Sequence, residues 1–422
     1  MKDTIVNVIA REVLDSRGIP TIEAEIHLAD GSMGRAIVPS GASTGSFEAL
    51  ELRDKDPNRY FGKGVKKAVF HVNTMIKDLL VGLSASDYRK VDQVMIQADQ
   101  TKNKANLGAN AILACSLACV KAASISKKIP LYQMLSDHKN KTVPIPMMNI
   151  INGGMHASNN IDIQEFMIMP IQAPSFHEGL RWCSEVFHQL KQLLKQDGHI
   201  TSVGDEGGFA PNLTNDEEAI TYILKAIKQA GYIAGKDFMI ALDAAASGWK
   251  QKDSNTYILP KSKKHYTTDE LVNYWISLVA QYPIISIEDG LDEEDWNGWT
   301  HLTKALSDQI QLVGDDLFVT NIDRLQKGIQ KHCGNTILIK YNQIGTVSET
   351  IDTIHLAQAN NYRVILSHRS GESEDTSIAD FAVALHADAI KAGAPNHSER
   401  VAKYNQLLRI EEQLQAEKNR SL

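Results

Sequence analysis

Six short apolar runs in the second half of this sequence each end at an ionisable side chain. The end residues are Asp243, Glu288, Asp315, Lys340, the pair His368 and Arg369, and Lys391. Consecutive ends lie 23–45 residues apart, which is enough chain for a helix and a return between one run and the next. Any one of these residues could cap a helix or begin a loop, but chance rarely places six in succession. We therefore interpret them as strand ends that carry the chemistry of one site.

Three of these ends supply carboxylates. Asp243, Glu288 and Asp315 are hard oxygen ligands, and such a set favours Mg²⁺ or Mn²⁺ over zinc. Lys340, at the next strand end, would lie near the cation, where positive charge lowers the pKa of an ammonium group and frees it to act as a base. The alternative for Lys340 is a buried lysine paired with one carboxylate. This chemistry amounts to metal-assisted proton abstraction from an anionic small molecule.

Two loops could complete such a site. Residues 204–211 place Asp205 and Glu206 in a glycine-rich turn, which could equally be a solvated acidic turn. Residues 38–45 form a loop of small side chains that lacks the GK[ST] ending of a phosphate-binding P-loop. This second loop could be no more than a flexible connection.

The same spacing predicts the elements that position these residues. Strands alternating with helices indicate β-α units, and the carboxyl ends of barrel strands converge on the face that carries the active site. The first 135 residues instead mix strand patterns, such as the alternation over 21–28, with an alanine-rich helical run over 108–127. Polar residues 136–141, followed by Pro144 and Pro146, mark a boundary. We predict an N-terminal α+β domain over 1–135 and a catalytic α/β barrel over 142–422.

Length and composition are those of a globular chain. The 422 residues carry a formal charge of −7 (44 − 51), which argues against nucleic acid as the main partner. The four cysteines form no CxxC pair, as expected in a reducing cytosol, and Cys115 and Cys119 are predicted to be buried. The N-terminus lacks a signal-peptide pattern, and the apolar stretch 111–120 is too short to span a bilayer. We expect a cytoplasmic protein without a membrane partner.

Seven strings along the chain resemble the enolase family. They are VPSGASTG at 38–45, QEFMI at 164–168, GDEGGFAP at 204–211, SIEDGLD at 286–292, LVGDD at 312–316, SHRSGE at 367–372 and KYNQL at 403–407. The resemblance implies a small N-terminal α+β domain followed by a modified α/β (TIM-like) barrel. It further implies a lyase that reversibly dehydrates 2-phosphoglycerate to phosphoenolpyruvate in glycolysis, using two Mg²⁺ ions per active site. Relatives of this kind are usually homodimers, some assembling further, and can have a secondary surface or secreted pool.

The resemblance also implies roles for individual residues. Asp243, Glu288 and Asp315 match the ligands of a structural Mg²⁺, and Ser43 matches the ligand of a second Mg²⁺ that arrives with substrate. Lys340 matches the base that removes the C2 proton, while Glu206 matches the acid that protonates the departing C3 hydroxyl. The implied substrate contacts are His156, Gln164, Glu165, Glu288, Asp315, Lys340, His368, Arg369, Ser370 and Lys391.

Within that set, Arg369 and Ser370 match phosphate contacts, and His156, Glu165 and His368 match the leaving-group side. A base must be neutral while the acid is protonated. We therefore expect the metal and Lys391 to lower the pKa of Lys340, and carboxylate neighbours to raise the pKa of Glu206. Four residues depart from the family pattern without removing a catalytic group: Ile19, Gly248, Tyr341 and Ala392.

Two other functions are compatible with parts of this pattern. One is a racemase or cycloisomerase of the same superfamily acting on another carboxylate, although the 204–211 and 367–372 strings count against it. The other is a catalytically silent scaffold or surface-binding protein, which the intact catalytic positions disfavour as a sole role.

Overall fold

The computed structural model describes residues 2–42, 45–136, 138, 141–252 and 254–420. Within these residues, a three-stranded sheet with helices is followed by a closed barrel of eight strands surrounded by helices. This arrangement confirms the predicted fold class, a small N-terminal α+β domain and a modified α/β barrel.

The N-terminal domain is built on an antiparallel sheet in the order β1-β2-β3. Its strands are β1 (Ile5–Leu14), β2 (Pro20–Leu28) and β3 (Met33–Ile37). Its helices are α1 (Lys66–His71), α2 (Lys77–Leu80), α3 (Tyr88–Asp99), α4 (Ala109–Lys127) and α5 (Leu131–Met134), with a π turn (Val72–Ile76) between α1 and α2. The alternation over 21–28, which is typical of a half-buried strand, correctly predicts a strand, but β2 is more buried than this pattern indicates. The polar residues Thr21 and Glu23 are buried too, because Thr21 Oγ1 donates to Val38 O (2.6 Å) and Glu23 pairs with Arg11.

Helix α4 is the core helix of this domain. It packs directly on β3, where a Cβ on Gly34 would lie 2.2 Å from the carbonyl oxygen of Ala118. The whole helix is long and apolar enough to cross a membrane, whereas its residues 111–120 alone are not. However, 83% of its most apolar 18-residue stretch is buried within the protein. Cys115 and Cys119 are buried and free, as predicted.

The barrel closes in the strand order β10-β11-β12-β13-β4-β5-β6-β9. Its strands are β4 (Ile145–Asn152), β5 (Glu165–Met169), β6 (Met239–Asp243), β9 (Ile284–Glu288), β10 (Gln311–Gly314), β11 (Thr336–Ile339), β12 (Arg363–Ser367) and β13 (Ala389–Lys391), and β7 (Thr256–Ile258) and β8 (His265–Thr267) form a separate hairpin. The helices are α6 (Phe176–Gln196), α7 (Asp216–Gln229), α8 (Thr268–Gln281), α9 (Trp296–Leu306), α10 (Ile322–Lys331), α11 (Tyr341–Ile344), α12 (Val347–Ala359), α13 (Ser377–Ala384) and α14 (Ser398–Arg420).

One strand makes this barrel depart from an all-parallel one. Strand β5 runs antiparallel to both β4 and β6, whereas the other neighbouring pairs are parallel. The β4–β5 connection contains only a short 3₁₀ turn, Gly154–His156, and therefore lacks the helix that usually makes a parallel crossover. As a result, the first residue of β5, Glu165, lies opposite the last residues of β4 and β6, Asn152 and Asp243.

A plug of apolar side chains fills the barrel interior. It comprises Met147, Met167, Met169, Ala241, Val313, Leu338, Ile365 and Ala389, all buried. Such a filled interior is a packed core rather than a pore, so polar chemistry is confined to the mouth of the barrel.

Buried polar contacts join the two domains. Asp375, after β12, accepts from Lys121 Nζ on α4 (2.6 Å) and from the backbone N–H of Ile37 (3.2 Å). On the opposite side, Asp92 of α3 accepts from the backbone N–H of Ser348 in α12 (2.8 Å), while its Oδ1 has no hydrogen-bond partner among the described residues. Burial raises the pKa of Asp92 to about 6, although hydrogen bonds from Ser116 and Ser348 oppose this shift.

The domain contact at Asp92 should make stability depend on pH. Because the folded pKa of about 6 exceeds the ordinary 3.8, the native state retains a proton that the unfolded chain has lost. The stabilisation is complete below the unfolded pKa and disappears as pH rises through about 6. The difference between the two pKa values corresponds to roughly 3 kcal/mol at most. Asp92→Asn should therefore gain stability relative to the wild type between pH 4 and pH 7, measured by urea unfolding. A pH-independent difference between the two proteins would contradict this assignment.

Candidate active site

All six predicted strand ends meet at the mouth of the barrel. Asp243, Glu288 and Lys391 are the last residues of β6, β9 and β13, while Asp315, Lys340 and His368 directly follow β10, β11 and β12. One cavity is lined by His156, Gln164, Glu165, Glu206, Asp243, Ala245, Asp289, Asp315, Asp316, Lys340, Ser367, His368, Arg369, Ser370 and Lys391. Glu288 joins this group through its contact with Lys391. Ser43, the predicted ligand of a second metal, lies outside the described residues.

Lys391 holds three carboxylates from three neighbouring strands. Its Nζ lies 3.0 Å from Glu165 Oε2, 3.0 Å from Asp243 Oδ2 and 2.8 Å from Glu288 Oε2. Burial lowers the pKa of Lys391, but these carboxylates outweigh burial and hold it well above its ordinary value. Gln164 Nε2 adds a neutral donor to Asp243 Oδ2 at 3.3 Å. Lys391 is therefore a permanent cation at the centre of the acidic cluster.

Lys340 makes the second lysine–carboxylate contact. Its Nζ forms an ion pair with Asp315 Oδ2, while Gln343 Nε2 donates to Asp315 Oδ1 at 2.8 Å. Burial lowers the pKa of Lys340, but the charge of Asp315 outweighs burial and raises it. Lys391 and Arg369 alone therefore do not lower the pKa of Lys340 against Asp315, and the expected lowering by a metal together with Lys391 stays a prediction.

The acidic cluster fits a hard divalent cation. Burial raises the pKa of Glu288 well above its usual range, and the nearby Asp243 raises it further in spite of Lys391. Four carboxyl groups, those of Glu165, Asp243, Glu288 and Asp315, contact two lysines, Lys391 and Lys340, so these lysines cannot neutralise all four. Carboxylate oxygens are also the donors that Mg²⁺ prefers.

The distances between ligand atoms allow a cation at more than one position among these carboxylates. Within the described part of the chain, two sets of ligand atoms lie within 4.8 Å of one another: Asp289, Asp315 and Asp316, and His156, Glu165 and Glu206. The predicted set of Asp243, Glu288 and Asp315 is not among them. That ligand set stays a prediction.

Backbone pairing brings Glu206 to the site. Phe209 donates to Ile150 O at 2.9 Å and accepts from Asn152 N–H at 2.8 Å, so the 204–211 loop lies along the end of β4. A Cβ on Gly208 would lie 2.5 Å from Asn152 Oδ1, so a residue with a side chain cannot approach β4 this closely. Asn149 Nδ2 then donates to Glu206 Oε2 at 3.1 Å. The loop is therefore a docked part of the site rather than a solvated acidic turn.

Glu206, Glu165 and His156 form a cluster that shares protons. His156 Nδ1 lies 3.3 Å from Glu165 Oε1 and 3.5 Å from Glu206 Oε1. Burial lowers the pKa of His156, but the charges of Glu206 and Glu165 raise it to about 10. Burial and the charge of Glu206 raise the pKa of Glu165 to about 7.

The expectation of a raised pKa for Glu206 is wrong for this arrangement. Burial raises the pKa of Glu206, but the positive charge of His156 and hydrogen bonds from His156 and Glu165 bring it well below its ordinary value. Of the two carboxyl groups, Glu165 therefore holds a proton more readily than Glu206.

The N-terminal domain covers the opposite side of the mouth. Arg369 donates to both oxygens of Glu48, from Nη1 to Oε2 at 2.9 Å and from Nη2 to Oε1 at 3.2 Å. Ser370 Oγ accepts from Ala42 N–H at 2.8 Å, and Ser40 pairs through its backbone with Gly371. Arg369 and Ser370, which are predicted to bind phosphate, therefore contact Glu48 and Ala42 of the N-terminal domain.

None of the four departures from the family pattern lines the cavity. Tyr341 and Ala392 directly follow Lys340 and Lys391, whereas Ile19 and Gly248 lie elsewhere in the sequence. Tyr341 is buried against Phe381, with ring centroids 5.9 Å apart, and Ala392 is fully buried.

Sequence reasoning missed other polar residues that this site uses. Asp289 and Asp316 directly follow predicted ligands, so their position next to strand ends was an available signal. Asn149 lies inside β4 and Glu48 lies in the N-terminal domain, so neither follows a strand end that could have indicated it.

Two family models match the chain. The model described as "Enolase, N-terminal domain" matches residues 5–135. The model described as "Enolase, C-terminal TIM barrel domain" matches residues 140–420. Together they cover nearly the whole sequence.

The surplus of buried carboxylates should make the protein bind Mg²⁺ and gain stability from it. At a concentration of 100 Kd, binding to the native state alone adds about 2.7 kcal/mol, which raises the melting temperature. Glu288→Gln should abolish most of this increase in calorimetry, because it removes one negative charge from the cluster. Glu294→Gln, whose glutamate pairs with Arg324 at the surface, is the matched control and should respond to Mg²⁺ like the wild type. Equal Mg²⁺ responses in both variants would argue against a cation site at Glu288.

Proposed function

The chain belongs to the enolase family, and on this premise we propose that it reversibly dehydrates 2-phosphoglycerate to phosphoenolpyruvate as a hydro-lyase of glycolysis. The observation that carries the proposal is the presence in one cavity of a candidate base, Lys340, a candidate acid, Glu206, and an anion-binding pair, Arg369 and Ser370. Removal of a C2 proton and a C3 hydroxyl from a phosphorylated acid requires these three kinds of group.

Proton abstraction is the difficult step, because it places a second negative charge on a carboxylate. Two Mg²⁺ ions, one held by Asp243, Glu288 and Asp315, would supply the positive charge that stabilises this dianion, as in enolase-superfamily sites generally. Lys340 removes the C2 proton. Its ammonium group must first lose a proton, and a cation held by Asp315 would favour this by offsetting the carboxylate charge that raises the pKa of Lys340. Lys391, held by three carboxylates, remains charged and contributes to binding the substrate carboxylate.

Loss of the C3 hydroxyl requires a proton on the other side of the cavity. Glu206 delivers it to the departing oxygen. The proton is supplied by its neighbours, since Glu165 has a pKa of about 7 and donates towards Glu206, and His156 lies 3.5 Å from Glu206 Oε1. The pair of carboxyl groups can therefore hold one proton near neutral pH although Glu206 alone is acidic.

Phosphate binding distinguishes this proposal from a racemase or cycloisomerase acting on a simple carboxylate. Arg369 presents a planar fork of N–H donors that matches a phosphate, and Ser370 adds a hydroxyl beside it. Turnover of 2-phosphoglycerate, but not of unphosphorylated hydroxy acids, would support the enolase reaction over that alternative. A homodimeric assembly in the cytoplasm belongs to the same proposal and rests on the family resemblance alone.

Glu206→Gln should separate the two halves of the reaction. An amide cannot deliver a proton, so the rate of phosphoenolpyruvate formation, followed by ultraviolet absorbance, should fall by about 10²–10⁴-fold. Exchange of the C2 proton with solvent deuterium, followed by NMR, should continue slowly because Lys340 is intact. Asp205→Asn, in the same loop, is the matched control. Loss of both activities with normal substrate affinity would refute the assignment of Glu206 as the acid.

Lys340→Met should remove both activities. Without a base, neither C2 exchange nor dehydration can begin, and turnover should fall by about 10⁴-fold, the upper end of the contribution of general-base catalysis. The methionine fills a similar volume but leaves the buried carboxylate of Asp315 without its ion pair, so the folding of this variant is verified by circular dichroism before the kinetics are compared. Lys331→Met on the surface of α10 serves as the control for a lost lysine. Near-normal activity of Lys340→Met would exclude this lysine as the base.

A further inference from the structure

Arg400 is a fully buried arginine on α14 that takes no direct part in the proposed chemistry. Its guanidinium group lies behind the two loops that carry catalytic side chains. Nη1 lies 2.6 Å from His368 Nδ1 and donates to Arg369 O at 2.6 Å. Nη2 donates to Ser370 O at 2.6 Å and to Asp205 O at 3.1 Å. One side chain therefore joins the loop after β12 to the loop that bears Glu206.

The contact with His368 has a definite chemical consequence. A guanidinium group has N–H donors only and cannot accept a hydrogen bond. His368 Nδ1 must therefore be the acceptor, and the proton of the neutral imidazole must lie on Nε2. Arg400 thus selects one of the two tautomers of this histidine.

The surroundings also determine the charge of His368. Burial lowers its pKa well below the ordinary value, and the positive charges of Arg400, Lys391 and Lys340 lower it further, against the opposing effect of Glu206. A second proton on Nδ1 would also have to point at the guanidinium group. The imidazole is therefore neutral, with a single N–H.

That N–H faces the site. His368 Nε2 lies 3.8 Å from Glu206 Oε2 and has no hydrogen-bond partner among the described residues, although the histidine is 98% buried and lines the cavity. An unpaired buried donor is costly unless a ligand satisfies it. The position beside Glu206 suits an oxygen atom that leaves from, or is held near, that carboxylate.

We propose that Arg400 is a positioning residue that holds His368 as the neutral Nε2–H tautomer, so that one N–H donor faces the leaving-group oxygen beside Glu206. The tautomer follows from the contacts of Arg400 alone, whereas the catalytic consequence rests on the proposed function. A purely structural arginine would tie the loops together without controlling the imidazole.

The tautomer can be measured directly on the full-length protein. Histidine labelled with ¹⁵N, observed in two-bond ¹H–¹⁵N correlation spectra, distinguishes Nε2–H, Nδ1–H and the imidazolium, and the spectrum of His368→Gln identifies the signal of His368. The wild type should show the Nε2–H pattern at neutral pH. Arg400→Lys, which keeps a buried cationic donor, should retain it, whereas Arg400→Met should shift His368 to Nδ1–H or to a mixture. Arg409→Met, on the exposed face of the same helix, should leave the signal unchanged.

Kinetics then test the consequence for catalysis. Arg400→Met should lower kcat for 2-phosphoglycerate by about 10²-fold, the effect of a misplaced group, with KM changed only a few-fold. Arg400→Lys should recover most of that loss.

Several outcomes would overturn the proposal. A wild-type His368 that is Nδ1–H or cationic would do so even if Arg400→Met fails to fold, as would an Arg400→Met protein with an unchanged tautomer. If the tautomer behaves as expected but the wild type does not turn over 2-phosphoglycerate, the proposed function fails while the positioning by Arg400 stands.

Discussion

The balance of charge at a buried barrel mouth is the constraint on which the rest of this structure depends. Carboxylates taken out of water are tolerated only when they are paired, and Lys391 pairs with three of them at 2.8–3.0 Å. Lys340 pairs with a fourth, Asp315. Two lysines cannot neutralise four carboxylates, and burial together with Asp243 raises the pKa of Glu288 well above its usual range in spite of Lys391. A site with this residual negative charge attracts a divalent cation and, through it, an anionic substrate.

The course of the chain explains how acids that are distant in sequence meet there. Parallel strands bring their carboxyl ends to one face, and the antiparallel β5 contributes its amino end to the same face. Glu165 thereby stands beside Asp243, and the 204–211 loop lies along β4 with Glu206 at the same edge. The short β4–β5 connection, which also carries His156, is what reverses β5. The cluster of Glu165, Glu206 and His156 therefore exists because β5 runs antiparallel to its two neighbours.

The two sides of the cavity differ in electrostatic character, and this difference matches the two halves of a dehydration. On one side, lysines among carboxylates favour charged groups and cation binding. On the other, Glu165 has a pKa of about 7 beside Glu206 and His156, and a neutral His368 offers an N–H. Burial alone would push every carboxyl group towards its neutral form. The positions of the neighbouring cations decide which of them retains its charge.

The sequence alone was sufficient for the barrel, the six strand ends and their convergence, since apolar runs that end in ionisable residues reflect local strand burial and parallel topology. The family strings added Glu206, Gln164 and Glu165, which no spacing rule would have selected. The folded chain was needed for the protonation states, because the pKa values of Lys340 and Glu206 depend on which charges lie nearest in space, and the pKa of Glu206 is lowered where a raised value was expected. It was also needed for Arg400, whose role arises from contacts with backbone and imidazole groups 30 to 195 residues away along the chain. Local patterns specify elements, whereas distances between their side chains set the charges and proton positions on which chemistry depends.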